Sequence, residues 1–284
     1  MRLIRRRVAR LVVAILGFAA VAPAVAGDAP CPAAALCETP LGSYGLLFPP
    51  AHAPGVRVPV VVFFHGWGSA AGNVLADAGI VETVRSRGYA LLVPEGLPDP
   101  ETGARGWSHR GSPHRNRDEV AFLREVVADA AGRAPIDPDR ILVSGFSAGG
   151  SMVWHLACYD GDRYRAFAPI AGAFWEPLPE SCPGGPVDLL HLQGFADEVV
   201  PIEGRRIGDR WQQGDLYASL ALLRRKNGLR SAPDRIIFEG RYRCRMWTGN
   251  AEGRLGLCLH DGGHILPDDW LERAIDWFEA LPQG

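Results

Sequence analysis

The chain has 284 residues, of which 47% are hydrophobic, 22% charged and 9% aromatic, and its formal net charge is −2. That profile excludes a disordered chain, a collagen-like fibre and a protein of many membrane spans, and it leaves room for one large α/β domain or two small ones. The charge is unevenly placed. Residues 1–26 carry five arginines and no acid, and the remainder holds 25 basic against 32 acidic residues, a net of −7 that argues against nucleic acid or anionic lipid as a partner.

The first segment reads as a secretory signal peptide: Arg2, Arg5, Arg6, Arg7 and Arg10, an apolar run over 11–21, then Ala24-Val25-Ala26 before Gly27. Its apolar stretch of about 16 residues is shorter than the roughly 20 that span a bilayer. Cleavage after Ala26 is therefore expected, with residues 27–284 exported to the periplasm or the extracellular space and holding no stable membrane insertion. Cys31, Cys37, Cys158, Cys182, Cys244 and Cys258 all follow the cut, and an even count fits an oxidising compartment. Local spacing favours Cys31–Cys37 and Cys244–Cys258, the latter closing a hairpin, which leaves Cys158–Cys182. No CxxC pair offers ligand spacing for zinc, so no metal site is expected.

Beyond the leader, strands alternate with helices. Residues 57–65 (RVPVVVFFH) form a nearly continuous apolar, β-branched run, the mark of a strand buried on both faces. The spacing predicts a helix over 75–87 stopped by Gly88, then a strand over 89–94. Asp118 can cap a helix that buries Val120, Phe122, Leu123 and Val126. The turn 137–140 leads into a strand over 141–144, and a helix follows over 148–158. Further strands are expected at 167–170, 187–192 and 236–238, with helices at 215–226 and 270–281. This order predicts an α/β protein with a mostly parallel central sheet and helices on both faces. With no repeat, linker or low-complexity block, residues 27–284 read as a single catalytic domain.

Four loops carry the candidate chemistry. Gly145-Phe146-Ser147-Ala148-Gly149 lies between a predicted strand and a predicted helix, where a nucleophilic serine would sit on a sharp turn with small neighbours. His65-Gly66-Trp67-Gly68 ends the first buried strand, and its Trp67 N–H together with the Ala148 N–H would form an oxyanion hole. Asp197 follows the 187–192 strand, where a triad acid must sit to orient an imidazole; Glu198 is its neighbour and rival. His264 lies in Asp261-Gly-Gly-His264 just before the last helix, with His260 as the alternative base. The order Ser147, Asp197, His264 is that of the α/β-hydrolase fold. Each segment alone has a bland reading as a turn or a solvated loop; the four together, in order, do not.

The segments HGWGSAAGN, VPEG, DEVAFL, DPDRILVSGFSAGG, APIAG, GFADEVVP and DGGHILP resemble the secreted esterases grouped with polyhydroxybutyrate depolymerases, feruloyl esterases and acetylxylan esterases. The resemblance implies the α/β-hydrolase fold, no cofactor, and hydrolysis of an ester substrate through a serine acyl-enzyme. In it Ser147 is the nucleophile, Asp197 the acid, His264 the base, and Trp67 and Ala148 the oxyanion residues. The substrate would be a small-molecule, polysaccharide-linked or polyester ester. Two departures stand out: Gln193 where such enzymes often have His, and Ile265-Leu266 where Thr-Trp is common. The segment 101–117, with four arginines, two histidines and Trp107, reads either as a lid with Trp107 against substrate or as a solvated loop, the commoner fate of such a composition. Other readings are a peptidase or lipase using the same triad, or a catalytically silent hydrolase fold that binds a partner.

Overall fold

The computed structural model describes residues 31, 36–53, 55–114, 116–249 and 253–282. The leader and the cleavage point after Ala26 lie outside the described residues.

In chain order the elements are β1 (Cys37–Thr39), β2 (Gly42–Leu47), β3 (Val58–Phe64), α1 (Ala71–Ala76), α2 (Ala78–Ser86), β4 (Ala90–Pro94), β5 (Leu97–Pro98), β6 (Arg105–Gly106), α3 (Glu119–Arg133), β7 (Ile136–Phe146) and α4 (Ala148–Tyr159). They continue as β8 (Ala166–Ile170), β9 (Leu189–Gly194), β10 (Arg206–Ile207), β11 (Trp211–Gln212), α5 (Leu216–Lys226), β12 (Arg235–Glu239), β13 (Tyr242–Trp247), β14 (Leu255–His260) and α6 (Trp270–Glu279). Among the described residues one ten-stranded sheet runs in the order β1-β2-β4-β3-β7-β8-β9-β14-β13-β12. From β4 to β14 neighbouring strands are parallel, and antiparallel hairpins extend both edges.

Strand β3 shows why the central strands read as unbroken apolar runs. Successive side chains leave opposite faces of a strand. Val60, Val62 and Phe64 join the core under α3, α4 and α5, with Phe122, Val126, Trp154 and Leu223. Val61 and Phe63 join the core under α1, α2 and α6, with Val74, Val84, Ile275 and Phe278. Both faces are covered, so both registers must be apolar.

Two expectations shift in detail. The helix expected over 75–87 is two helices, because the Asp77 carboxylate turns back to accept the Ile80 N–H at 3.1 Å and starts α2 afresh. The turn at 137–140 lies inside β7 as a bulge: Val58 pairs with Ile136 but Val60 pairs with Ile141, and the residues between are pushed out. The hairpin β1–β2 had no strong sequence signal. The three expected cysteine pairs are all present, Cys31–Cys37, Cys158–Cys182 and Cys244–Cys258. The last joins directly opposed residues of β13 and β14. Among the described residues no helix is long and apolar enough to cross a membrane, and no cluster of His, Cys, Asp or Glu is arranged to hold a metal.

Candidate active site

The site lies at the C-terminal ends of the parallel strands. Strand β7 ends in Phe146, Ser147 follows, and α4 begins at Ala148. Ser147 has φ 60° and ψ −119°, a left-handed conformation that costs a non-glycine residue of order 1–3 kcal/mol. The Ser147 N–H donates to the Ile170 carbonyl at 2.9 Å, which ties the turn to β8. Such a turn needs glycine where backbones meet: a Cβ at Gly149 would land on the Phe64 carbonyl oxygen of β3.

A second close approach joins the candidate acid and base. A Cβ on Gly194, at the end of β9, would collide with the Gly263 carbonyl after β14. With hydrogen there instead, the two loops lock: Phe195 N–H donates to His260 O at 2.7 Å and Ala196 N–H to Gly262 O at 3.1 Å. Asp197 and His264 are thereby held together, with His264 Nδ1 2.8 Å from Asp197 Oδ2. The His264 ring packs on Phe146, centroids 4.7 Å apart, beside the serine turn. Ser147 and His264 line one cavity of about 1010 Å³, together with Trp67, Ala148 and His65.

Asp197 is buried and meets only donors. Val199 and Val200 give their N–H groups to Oδ1 at 2.9 and 2.8 Å, and Gln193 Nε2 reaches Oδ2 at 2.9 Å. Burial alone would lift the carboxyl, but the bonds from His264 and these backbone groups outweigh it and hold it below the usual carboxylate range. Glu198 is exposed. His260, the alternative base, is buried in β14 and accepts the Gly262 N–H on Nδ1 at 3.0 Å, away from the cavity.

Behind Asp197 runs a buried chain that the sequence reading missed. An indole N–H only donates, so Trp154 Nε1, 3.3 Å from His191 Nδ1, leaves the His191 proton on Nε2. That proton goes to Gln193 Oε1 at 3.1 Å, which turns the Gln193 NH₂ toward Asp197 and the Val200 carbonyl at 2.7 Å. Every group then has one consistent role, and burial holds His191 neutral by pushing it down to about 4. The departure at Gln193 is thus an amide that braces the Asp197 carboxylate. The available signal was His191 and Gln193 themselves, two polar residues within a buried strand.

The candidate oxyanion loop, residues 65–68, is braced from outside. A Cβ on Gly66 would lie 3.5 Å from the Ser147 Cβ, which places this loop against the serine. Gly68 N–H donates to Arg105 O at 2.8 Å, and Trp107 Nε1 donates to His65 O at 2.9 Å. Among the described residues no backbone carbonyl takes the Trp67 N–H, and the Ala148 N–H opens a helix and has no partner within it. Trp67 is 63% exposed and lines the cavity.

The segment 101–117 is a solvated loop only in part: Glu101, Thr102, Gly103, Arg110, Pro113 and Asn116 are exposed, while other residues fold inward. His109, Ser112 and His114 are buried, and the Arg117 guanidinium pairs with Glu119 at 2.8 Å while lying 3.5 Å from the Phe122 ring centroid. The charge of Arg117 is thus neutralised by a carboxylate at the start of α3, whereas Arg110 stays exposed on the Pro177 carbonyl. Trp107, expected against substrate, borders the cavity, but it is 1% exposed and packs edge-on against Phe64 with its N–H already engaged. It braces the loop instead of offering a stacking face.

Residues 43–230, more than half the chain, match the esterase family model described as "Putative esterase". The chain belongs to this family. "Putative esterase NocK" of Nocardia uniformis subsp. tsuyamanensis is 33% identical over 150 residues, covering 51% of this chain and 42% of that protein. Feruloyl esterase D of Neurospora crassa is 30% identical over 143 residues, covering 49% of this chain and 44% of the relative. The matched stretches thus span less than half the length of these two relatives. Among solved structures, an acetyl xylan esterase from Aspergillus awamori superposes with a TM-score of 0.60 at 14% identity, over 84% of this chain and 93% of the other. The Bacillus cereus carboxylesterase gives 0.55 at 15% identity, over 83% and 92%. At such identities the likeness is one of fold, and the fold is the α/β-hydrolase fold.

Proposed function

We propose that this member of the esterase family is a serine carboxylic-ester hydrolase, with Ser147 as nucleophile, His264 as base, Asp197 as the acid that orients it, and the Trp67 and Ala148 N–H groups as the oxyanion hole. The observation that carries the reading is the pairing of His264 with buried Asp197 at 2.8 Å in a cavity shared with the strained Ser147 turn. His264 Nδ1–H is committed to the carboxylate, which leaves Nε2 as the proton acceptor on the cavity side. Ser147 attacks the ester carbonyl as His264 takes its proton, the alkoxide of the tetrahedral intermediate rests on the two N–H groups, and the alcohol leaves with that proton. Water repeats the sequence on the acyl-enzyme and releases the acid.

Feruloyl and acetyl-xylan esters, the substrates named for relatives of the fold and family, head the panel, with hydroxybutyrate oligomers as a third group. We also propose export: the leader 1–26 and three disulfides both suit an oxidising compartment. Residues 27–284 would act as one catalytic domain. The test is hydrolysis of p-nitrophenyl acetate and butyrate by the purified protein beside Ser147→Ala. Turnover should fall by about 10³–10⁶-fold in the variant; equal rates, or none from folded wild type, would sink the proposal.

A further inference from the structure

Beyond the serine, one wall of the cavity is polar, buried and unused by the chemistry above. Ser151 lies one turn along α4, its N–H on the Ser147 carbonyl at 3.0 Å, and its hydroxyl takes the Trp175 indole N–H at 3.3 Å. Trp175 packs edge-on against His109, centroids 5.7 Å apart, and its backbone bridges to Gln213. All four residues line the cavity. Gln213 is held from three sides: its N–H donates to Arg205 O at 2.9 Å, Glu176 N–H to Gln212 O at 2.9 Å, and Gly214 N–H to Phe174 O at 2.8 Å.

The side chain so positioned is 6% exposed, and its Oε1 is buried with no hydrogen-bond partner. Buried amide oxygens are rarely left this way, and such an orphan is a standing destabilisation unless the cavity's occupant donates to it. His109 adds a second acceptor. Its Nδ1 faces the Arg110 carbonyl at 3.1 Å, which can only accept, so Nδ1 carries the proton and Nε2 a lone pair. Arg205 lines the same cavity but turns its Nε to the Val199 carbonyl at 2.7 Å, and the Gln213 NH₂ and the Ser151 hydroxyl set donors beside the two acceptors, so the corner calls for a neutral group that both donates and accepts, and the one that an ester can carry is a hydroxyl.

We propose that Gln213, with His109 and Trp175, forms a subsite for a substrate hydroxyl, so that esters bearing a free hydroxyl on the acyl or the alcohol part are preferred over the same esters with that hydroxyl methylated. This specificity rests on the esterase reading. A methyl ether in the same place would leave Oε1 unpaired and crowd the wall, and a site built to bond a hydroxyl rejects an analogue without the donor far more strongly than an apolar pocket discriminates by size.

Two matched pairs test it and separate the sources: ethyl 4-hydroxycinnamate against ethyl 4-methoxycinnamate for the acyl side, and 2-hydroxycyclohexyl acetate against 2-methoxycyclohexyl acetate for the alcohol side. Wild type should favour the hydroxylated member of at least one pair by about tenfold or more in kcat/KM, and Gln213→Leu should bring that ratio close to one, mainly by raising KM. Because the proposal gives the amide oxygen no structural partner, Gln213→Leu should melt no lower than wild type. A variant that unfolds, a ratio near one for both pairs in wild type, or a ratio that survives in Gln213→Leu would each overturn it. Steady-state hydrolysis of p-nitrophenyl acetate separates the two failures. With no Ser147-dependent turnover the esterase reading itself fails; with normal turnover and no hydroxyl preference only the subsite does.

Discussion

Asp197→Asn probes the site most directly, because the carboxylate that it alters meets donors on every side. Oδ1 accepts the Val199 and Val200 N–H groups at 2.9 and 2.8 Å, and Oδ2 accepts from Gln193 and His264 at 2.9 and 2.8 Å. An asparagine must keep its carbonyl toward the two backbone groups, which puts its NH₂ against two other donors. His264 can respond by moving its proton to Nε2, and it then has no lone pair for the Ser147 proton. Gln193 cannot turn over, since its NH₂ would face the His191 Nε2–H and its oxygen the Val200 carbonyl. Two charge-assisted bonds of about 1.5–3 kcal/mol each are lost. Relief of the carboxylate's burial offsets part of that, leaving a net destabilisation of about 1–3 kcal/mol in urea unfolding. The wrong tautomer should slow p-nitrophenyl acetate hydrolysis by about 10⁴-fold. Glu198→Gln, at an exposed position, should stay near wild type. A loss of less than about tenfold in Asp197→Asn, with an unchanged pH profile, would refute the claim that this carboxylate sets the imidazole.

Two further outcomes follow from the same geometry. Trp107→Phe keeps the ring against Phe64 but removes the N–H that holds the His65 carbonyl, so kcat should fall about fivefold to tenfold with KM little changed, measured on p-nitrophenyl butyrate; a pure KM effect would return Trp107 to substrate contact. Acid should begin to destabilise the protein above the pH at which its carboxylates titrate. The unfolded chain protonates its histidines from about pH 6.5 downward, whereas burial pushes His109 and His191 down to about 4 and His155 to about 3 in the folded chain. The unfolded state therefore binds more protons across that window, and stability falls as pH drops through it. Far-UV circular dichroism that stayed native to pH 3 would contradict the burial of these rings.

The parallel strands were legible because burial on both faces leaves no choice of residue: 57–65 could be read directly, and β3 occupies nearly all of it. Asp118 could be read as a cap for the same local reason, and its carboxylate accepts the Ala121 N–H at 3.0 Å. The triad candidates were legible by type and order, since each lies on a loop with glycines that only a close approach requires. What escaped is what depends on partners distant in sequence. Arg117 looked solvated because its burial depends on Glu119 and Phe122 meeting it from both sides. Gln213 carries no local signal at all; its meaning comes from a bridge to Trp175, thirty-eight residues earlier. Trp107 was noticed for its ring, whereas its N–H is what the fold uses.

The bonds that position Gln213 run onward to Asp197. Gln213 N–H rests on the Arg205 carbonyl, Arg205 Nε donates to Val199 O at 2.7 Å, and Val199 N–H donates to the Asp197 carboxylate. On the proposed roles, a descendant of this chain that changes its substrate by reshaping the 199–215 stretch would pull on the carboxylate that orients its base. Selectivity and turnover are then inherited as one trait, and the lineages that find new esters here should first pass through slow ones.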